Sequence, residues 1–173
     1  MKKVVFLDID GVLNSEASLM EDDSLEEALI LNLKELVDKT GAEIILSSSW
    51  RVLFNQLRRL MDRLGKVGIH ISGLTPDGVS WKWIESHNLK PSAKYRDTYT
   101  NWEGKKIDIT TDRGAEIFRW LSDHKEVDSF VILDDEDFDI KNYFPDKLIK
   151  TNFKTGLTKE DVEKAINILN KNV

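Results

Sequence analysis

The sequence predicts an α/β fold: a doubly wound (Rossmann-like) parallel sheet of about five strands flanked by helices. Two observations carry this. Short apolar runs of strand length alternate with stretches of helical period. The strongest runs are unbroken rather than alternating, as strands covered on both faces require. The runs are V-V-F-L at 4–7, I-I-L at 44–46 and F-V-I-L at 130–133, with weaker ones at 69–71 and 148–149. Between them, Leu25, Leu29, Leu33, Leu36 and Val37 fit one helix face. Leu57, Leu60, Met61 and Leu64 fit a second, closed by Gly65. Ile117, Trp120 and Leu121 fit a third. Val162, Ile166 and Leu169 fit a fourth, with Thr158 and Asp161 as its cap. Strand–helix alternation with right-handed crossovers gives parallel pairing and helices on both faces.

The 173 residues suit a single domain, 1–173, with 66–112 as a modest insert. Within it, 90–106, K-P-S-A-K-Y-R-D-T-Y-T-N-W-E-G-K-K, has neither period and reads as a long surface loop or small insert. Net charge is −6, which excludes a general basic coat for nucleic acid and leaves only a local patch. The chain has no cysteine, so disulfides and thiolate metal sites are excluded. The apolar run after M-K-K is four residues, short of the roughly 7–15 of a signal sequence. Nothing approaches the ~20 apolar residues of a membrane span. A soluble, cytoplasmic protein is expected.

In an open parallel sheet, ligands bind beyond the carboxyl ends of the strands. Asp8 and Asp10 follow the first run, Ser47, Ser48 and Ser49 the second, and Asp134, Asp135, Asp137 and Asp139 the third. Carboxylates from two strands and hydroxyls from another would share one rim. Crowded carboxylates repel, and a hard cation relieves them. Mg²⁺ takes one or two carboxylates together with waters and phosphate oxygens. The rim therefore predicts a metal site that receives a phosphorylated substrate.

V-V-F-L-D-I-D-G-V-L-N resembles the first motif of the haloacid dehalogenase (HAD) superfamily, an apolar strand followed by Asp-x-Asp-Gly. I-I-L-S resembles the second motif and V-I-L-D-D-E-D-F-D the fourth. Arg113, opening R-G-A-E-I-F-R-W-L, fits the basic residue of the third, with Lys105 and Lys106 as rivals. S-S-S-W-R, R-G-A-E-I-F-R-W-L, V-I-L-D-D and T-G-L-T are similar to the HAD domain of Swiss Army Knife RNA repair proteins, and more loosely to polynucleotide phosphatases.

The resemblance implies a HAD fold with no large cap domain and a Mg²⁺-dependent phosphatase. Asp8 would be the nucleophile and Asp10 the acid and then base. Ser47 would bond a phosphoryl oxygen, preferred over Ser48 because it directly follows the apolar run. Arg113 would pair with the phosphoryl group. Asp8, Asp10 (through its backbone carbonyl), Asp134 and Asp135 would hold the metal, and Asp139 stands where some relatives place a further acid.

Ser48, Arg51, Tyr95 and Trp102 are candidate substrate contacts. Ser48 could equally cap the next helix, and Trp50 and Arg51 could simply pack. Tyr95, Tyr99 and Trp102, interleaved with Lys90, Lys94, Arg96, Lys105 and Lys106, are the mix that base stacking and phosphate contacts use. The same aromatics could instead anchor a solvated loop. The expected substrate is a nucleotide or a nucleic-acid end. The rivals are a small-metabolite phosphatase and an idle phosphate- or RNA-binding module. A dehalogenase lacks the second acid, and an idle module need not keep Asp8, Asp10, Arg113 and the acid pair together.

Overall fold

Residues 4–7 lie in the middle strand of a parallel sheet. The computed structural model describes residues 1–20, 24–90 and 92–171. The main sheet has five strands: β1 (Lys2–Leu7), β2 (Glu43–Leu46), β3 (Ile71–Leu74), β7 (Val127–Asp134) and β8 (Leu148–Lys150). Their order is β3-β2-β1-β7-β8, all parallel. The reversal of strand order beside β1 is where such a sheet opens a crevice.

Both faces are covered, which explains the unbroken apolar runs. Val5, Leu7, Ile44, Leu46, Val131 and Leu133 pack on one side. There they meet α1 (Glu27–Thr40), α2 (Phe54–Lys66) and α6 (Lys159–Asn170). Val4, Phe6, Ile45 and Ile132 pack on the other, against α4 (Arg113–Asp123) and α5 (Ile140–Tyr143). Alternate residues of one strand therefore feed opposite cores. The expected cap of α6 is present: the Thr158 hydroxyl accepts from Asp161 N at 3.2 Å, and the Asp161 carboxylate accepts from Thr158 N at 3.1 Å.

Two expectations need correction and a third needs refinement. The strand expected at 69–71 begins at Ile71, because Ile69 N instead donates to Leu64 O and closes the end of α2. Met61, expected on the buried face of α2, is exposed. It follows Leu60 by one residue, about 100° around the helix, and Leu60 and Leu64 are buried. The stretch 90–106, expected to be a long surface loop or small insert without regular period, belongs to an insert that contains a strand. It holds β5 (Arg96–Thr100), paired antiparallel with β6 (Lys106–Thr110), and β4 (Val79–Ser80) completes a second sheet in the order β4-β6-β5. Every residue of β5 is exposed, so no alternation of apolar and polar residues betrayed it. Pro91 of that stretch lies outside the described residues.

This small sheet with α3 (Trp81–Ser86) forms the insert, and no large cap is present among the described residues. Val79, Ile84 and Ala115 pack it against α4. No helix of the described residues is long and apolar enough to cross a membrane.

Phe6 sits edge-on to both Trp120 (5.3 Å between ring centres) and Phe130 (5.8 Å). Phe6→Ala is expected to cost about 3–5 kcal/mol in urea denaturation, as aromatic truncation in a dry core does. Trp102→Ala, at a site 90% exposed, should change stability by less than about 0.5 kcal/mol.

Candidate active site

Register places the first residues of the site. Leu7 pairs with Leu46 on one side and Leu133 on the other. The ladder then runs one step beyond the strands: Ser47 N donates to Leu7 O and Asp8 N to Leu133 O. Asp8, Ser47 and Asp134 thus leave the sheet side by side. Asp135 follows, and single carboxylate oxygens of Asp8, Asp134 and Asp135 lie within 4.8 Å of one another.

Gly11 makes room for Asp135. A Cβ on Gly11 would stand 2.6 Å from the Asp135 side chain, and the glycine has φ +70°, a region that disfavours side chains. Asn14, unassigned in the sequence reading, closes this turn. Its Oδ1 accepts from Gly11 N and its Nδ2 donates to Asp10 Oδ1, both at 2.8 Å. The Trp50 indole N–H donates to Asp10 Oδ2 at 3.1 Å. Asp10 is therefore held by two donors, and Trp50 orients it as well as packing.

The second motif divides its hydroxyls. The Ser48 hydroxyl accepts from Trp50 N at 3.4 Å, capping the short 3₁₀ turn Ser49–Val52. The Ser47 hydroxyl accepts from Thr75 at 3.3 Å. Both serines are buried.

Arg113 opens α4, where Asp112 supplies the N-cap by accepting from Gly114 N at 2.9 Å. Its Nη1 lies 3.5 Å from Asp8 Oδ1, and its guanidinium carbon 5.3 Å from the centre of the Phe138 ring. Lys105 and Lys106 are instead exposed at the hairpin. The Arg51 side chain is 6% exposed and donates to Ser48 O and Pro76 O; it also pairs with Asp77 and, at 2.8 Å, with Glu116. Tyr95 lies 6.1 Å, centre to centre, from Phe138, so it borders Arg113 through that ring. Trp102 stands out on the hairpin turn, 90% exposed. Asp139 lies outside the three-carboxylate cluster and opens α5.

Glu116 escaped the sequence reading. Only 1% exposed, it touches both arginines. The available signal was an acid on the buried face of a helix, three residues after Arg113 and four before Trp120.

Burial pushes the Asp8 carboxyl up to about 6; the Arg113 charge and the Ser48 hydrogen bond pull it down, and Asp10 pushes it further up. Burial and then the Asp8 charge hold Asp134 well above the usual carboxylate range. Burial raises Asp135 too, with help from Glu136. This oxygen-only donor set suits Mg²⁺, which would supply the positive charge that three crowded carboxylates call for.

With this geometry in view, residues 4–162 match the family described as the HAD domain in Swiss Army Knife RNA repair proteins. The chain belongs to that family. This HAD domain has no match among curated proteins. A solved structure, the N-terminally truncated IMP-nucleotidase of Plasmodium falciparum, is similar over 99% of this chain and 70% of that one, at 11% identity. The TM-score is 0.39.

A carboxyl raised by folding holds its proton more tightly in the folded chain. That stabilisation is complete below the unfolded value near 3.8 and is lost as pH rises through about 6. Asp112, pushed up to about 6 by burial, adds to the same trend. Tm of the metal-free protein should therefore fall between about pH 4 and pH 6. Mg²⁺ should raise Tm again at neutral pH, and Asp134→Asn should lose most of that increment. A melting scan at several pH values checks this. An identical Tm with and without Mg²⁺ at neutral pH would count against the metal assignment.

Proposed function

We propose that this HAD domain is a Mg²⁺-dependent phosphatase that hydrolyses a phosphomonoester through an aspartyl-phosphate on Asp8, and that its substrate is a nucleotide or a nucleic-acid end. One observation carries the reading: Asp8 stands between two further carboxylates and a buried arginine, with a second aspartate held two residues away by two donors.

Asp8, Asp134 and Asp135 would hold the cation, which neutralises charge on the transferring group when bound. The remaining chemistry belongs to the chain. An Asp8 oxygen attacks phosphorus and the bond to the leaving oxygen breaks. The Asp10 carboxyl gives that oxygen its proton. Asp10, now a carboxylate, takes a proton from water as that water attacks the same phosphorus. The bond from Asp8 to phosphorus breaks and inorganic phosphate leaves. Arg113 pairs with the phosphoryl oxygens, and the Ser47 and Ser48 hydroxyls stand at the same rim to bond them. The Asn14 amide and the Trp50 indole fix the direction of the proton transfer by fixing Asp10.

Three features support a nucleotide or nucleic-acid substrate. The rim carries no large cap among the described residues, which suits a bulky phosphate. Tyr95 borders Arg113 through Phe138, with the Lys94 ammonium 4.9 Å from its ring centre. Residues 90–106 hold five cations against two acids, in a chain of net charge −6. Tyr95, Trp102 and Arg51 are the proposed substrate contacts. Arg51 keeps one buried donor, Nε, without a partner.

Asp8→Asn should lower turnover of p-nitrophenyl phosphate by more than ~10³-fold while leaving the fold intact. Asp10→Asn should cost about 10²–10⁴-fold, the range of a general acid–base. Trp50→Phe, which removes one hydrogen bond to Asp10, should cost about 10-fold. Phosphate release with and without Mg²⁺ measures all three. Parallel assays with mononucleotides and with 3′- and 5′-phosphorylated oligonucleotides rank the substrates. Unchanged turnover in Asp8→Asn would refute the nucleophile.

A further inference from the structure

Glu116 is a buried acid whose contacts are all with donors. Its Oε1 accepts from Arg51 Nη2 and from Gly78 N, each at 2.8 Å. Its Oε2 lies 3.9 Å from Arg113 Nε. The first oxygen is fixed because its partners are fixed. Arg51 is itself tied to Ser48 O at 2.7 Å, to Pro76 O at 3.2 Å and to Asp77 at 3.2 Å. Gly78 is backbone leading directly into β4. The second oxygen is then left facing Arg113.

Arg113 is held differently. It reaches Asp8 at 3.5 Å and Glu116 at 3.9 Å, and rests against the Phe138 ring. A tight guanidinium–carboxylate hydrogen bond runs at about 2.7–2.9 Å, so neither contact is one. The guanidinium is suspended between two carboxylates and clamped by neither. That state has a use. A guanidinium locked two-pronged onto Asp8 would mask the carboxylate that must attack. It would also occupy the donors that a phosphoryl group needs. Pulled partly the other way by Glu116, Arg113 keeps both free.

We propose that Glu116 is a positioning residue: anchored by Arg51 and the Gly78 amide, it holds Arg113 off Asp8 and keeps the guanidinium available to a phosphoryl group. The role in turnover rests on the phosphatase reading above; the effect on phosphate binding does not. The competing account is that Glu116 serves only to neutralise Arg51. The two accounts differ in whether the effect of Glu116 passes through Arg113.

The test is a double-mutant cycle on Glu116→Gln and Arg113→Ala in magnesium-containing buffer. Each protein is measured for inorganic phosphate affinity, for kcat and KM on p-nitrophenyl phosphate, and for Tm. Glu116→Gln should weaken phosphate binding about 10-fold or more and lower kcat/KM by about 10–100-fold, the scale of a misplaced catalytic group. In the Arg113→Ala background the same change should add less than about 2-fold, because the group it acts through is gone. Glu116→Asp keeps the charge and should recover part of the phosphate affinity. Losses that simply multiply, or a lowered Tm with unchanged phosphate affinity, would overturn the proposal in favour of the Arg51 account. Wild type that binds phosphate without hydrolysing p-nitrophenyl phosphate or the phosphorylated nucleotides would sink the phosphatase reading, and the binding cycle alone would then judge Glu116. Wild type that does not bind phosphate would sink both.

Discussion

Three carboxylates forced together at the buried end of a sheet are the constraint on which the rest of this structure depends. Parallel register brings Asp8 and Asp134 together, and Asp135 follows directly after Asp134. Once Leu7 lies between Leu46 and Leu133, the next residue of each strand must emerge at the same level. The apolar strands that make this rigid also strip water from the acids and so raise the cost of their charge. Gly11 belongs to the same constraint, since any side chain there would stand where Asp135 stands.

The surroundings answer that cost with alternating charge. Asp77 and Glu116 pair with Arg51, Glu116 and Asp8 flank Arg113, and the cluster of Asp8, Asp134 and Asp135 lies beyond. Each charge tempers the next. The low dielectric that makes a lone buried charge expensive also makes each neighbouring opposite charge count for more. The ranking of partners therefore matters more than any one pair. Arg113 has weak holds on two sides, whereas Arg51 has strong holds on four acceptors.

Much of this was legible in the sequence. The parallel sheet followed from unbroken apolar runs, and the rim from what comes directly after them. Asp8, Asp134 and Asp135 converge as the runs imply. What could not be read depended on side-chain direction. Ser47 and Ser48 are both buried, and only their rotamers decide which partner each hydroxyl takes. Asn14 and Trp50 reach Asp10 from four and forty positions away, and no periodicity marks such contacts. The β5–β6 hairpin stayed hidden because its β5 strand is exposed throughout, so no burial pattern was written into it. Glu116 left only a faint trace, one acid beside the buried apolar residues Ala115, Ile117 and Trp120.

The insert leaves the main sheet and rejoins it at nearly one point. It departs at Gly78, whose amide is bonded to Glu116, and returns at Thr110, two residues before the cap of α4. Val79 pairs with Thr110, so the way out and the way back are neighbours. Everything between them is a cassette hung from the helix that carries Arg113. A cassette with adjoining ends can be lengthened, shortened or exchanged without moving a strand of the main sheet. The fold thus separates the part that can vary in length from the part that holds the carboxylates in place.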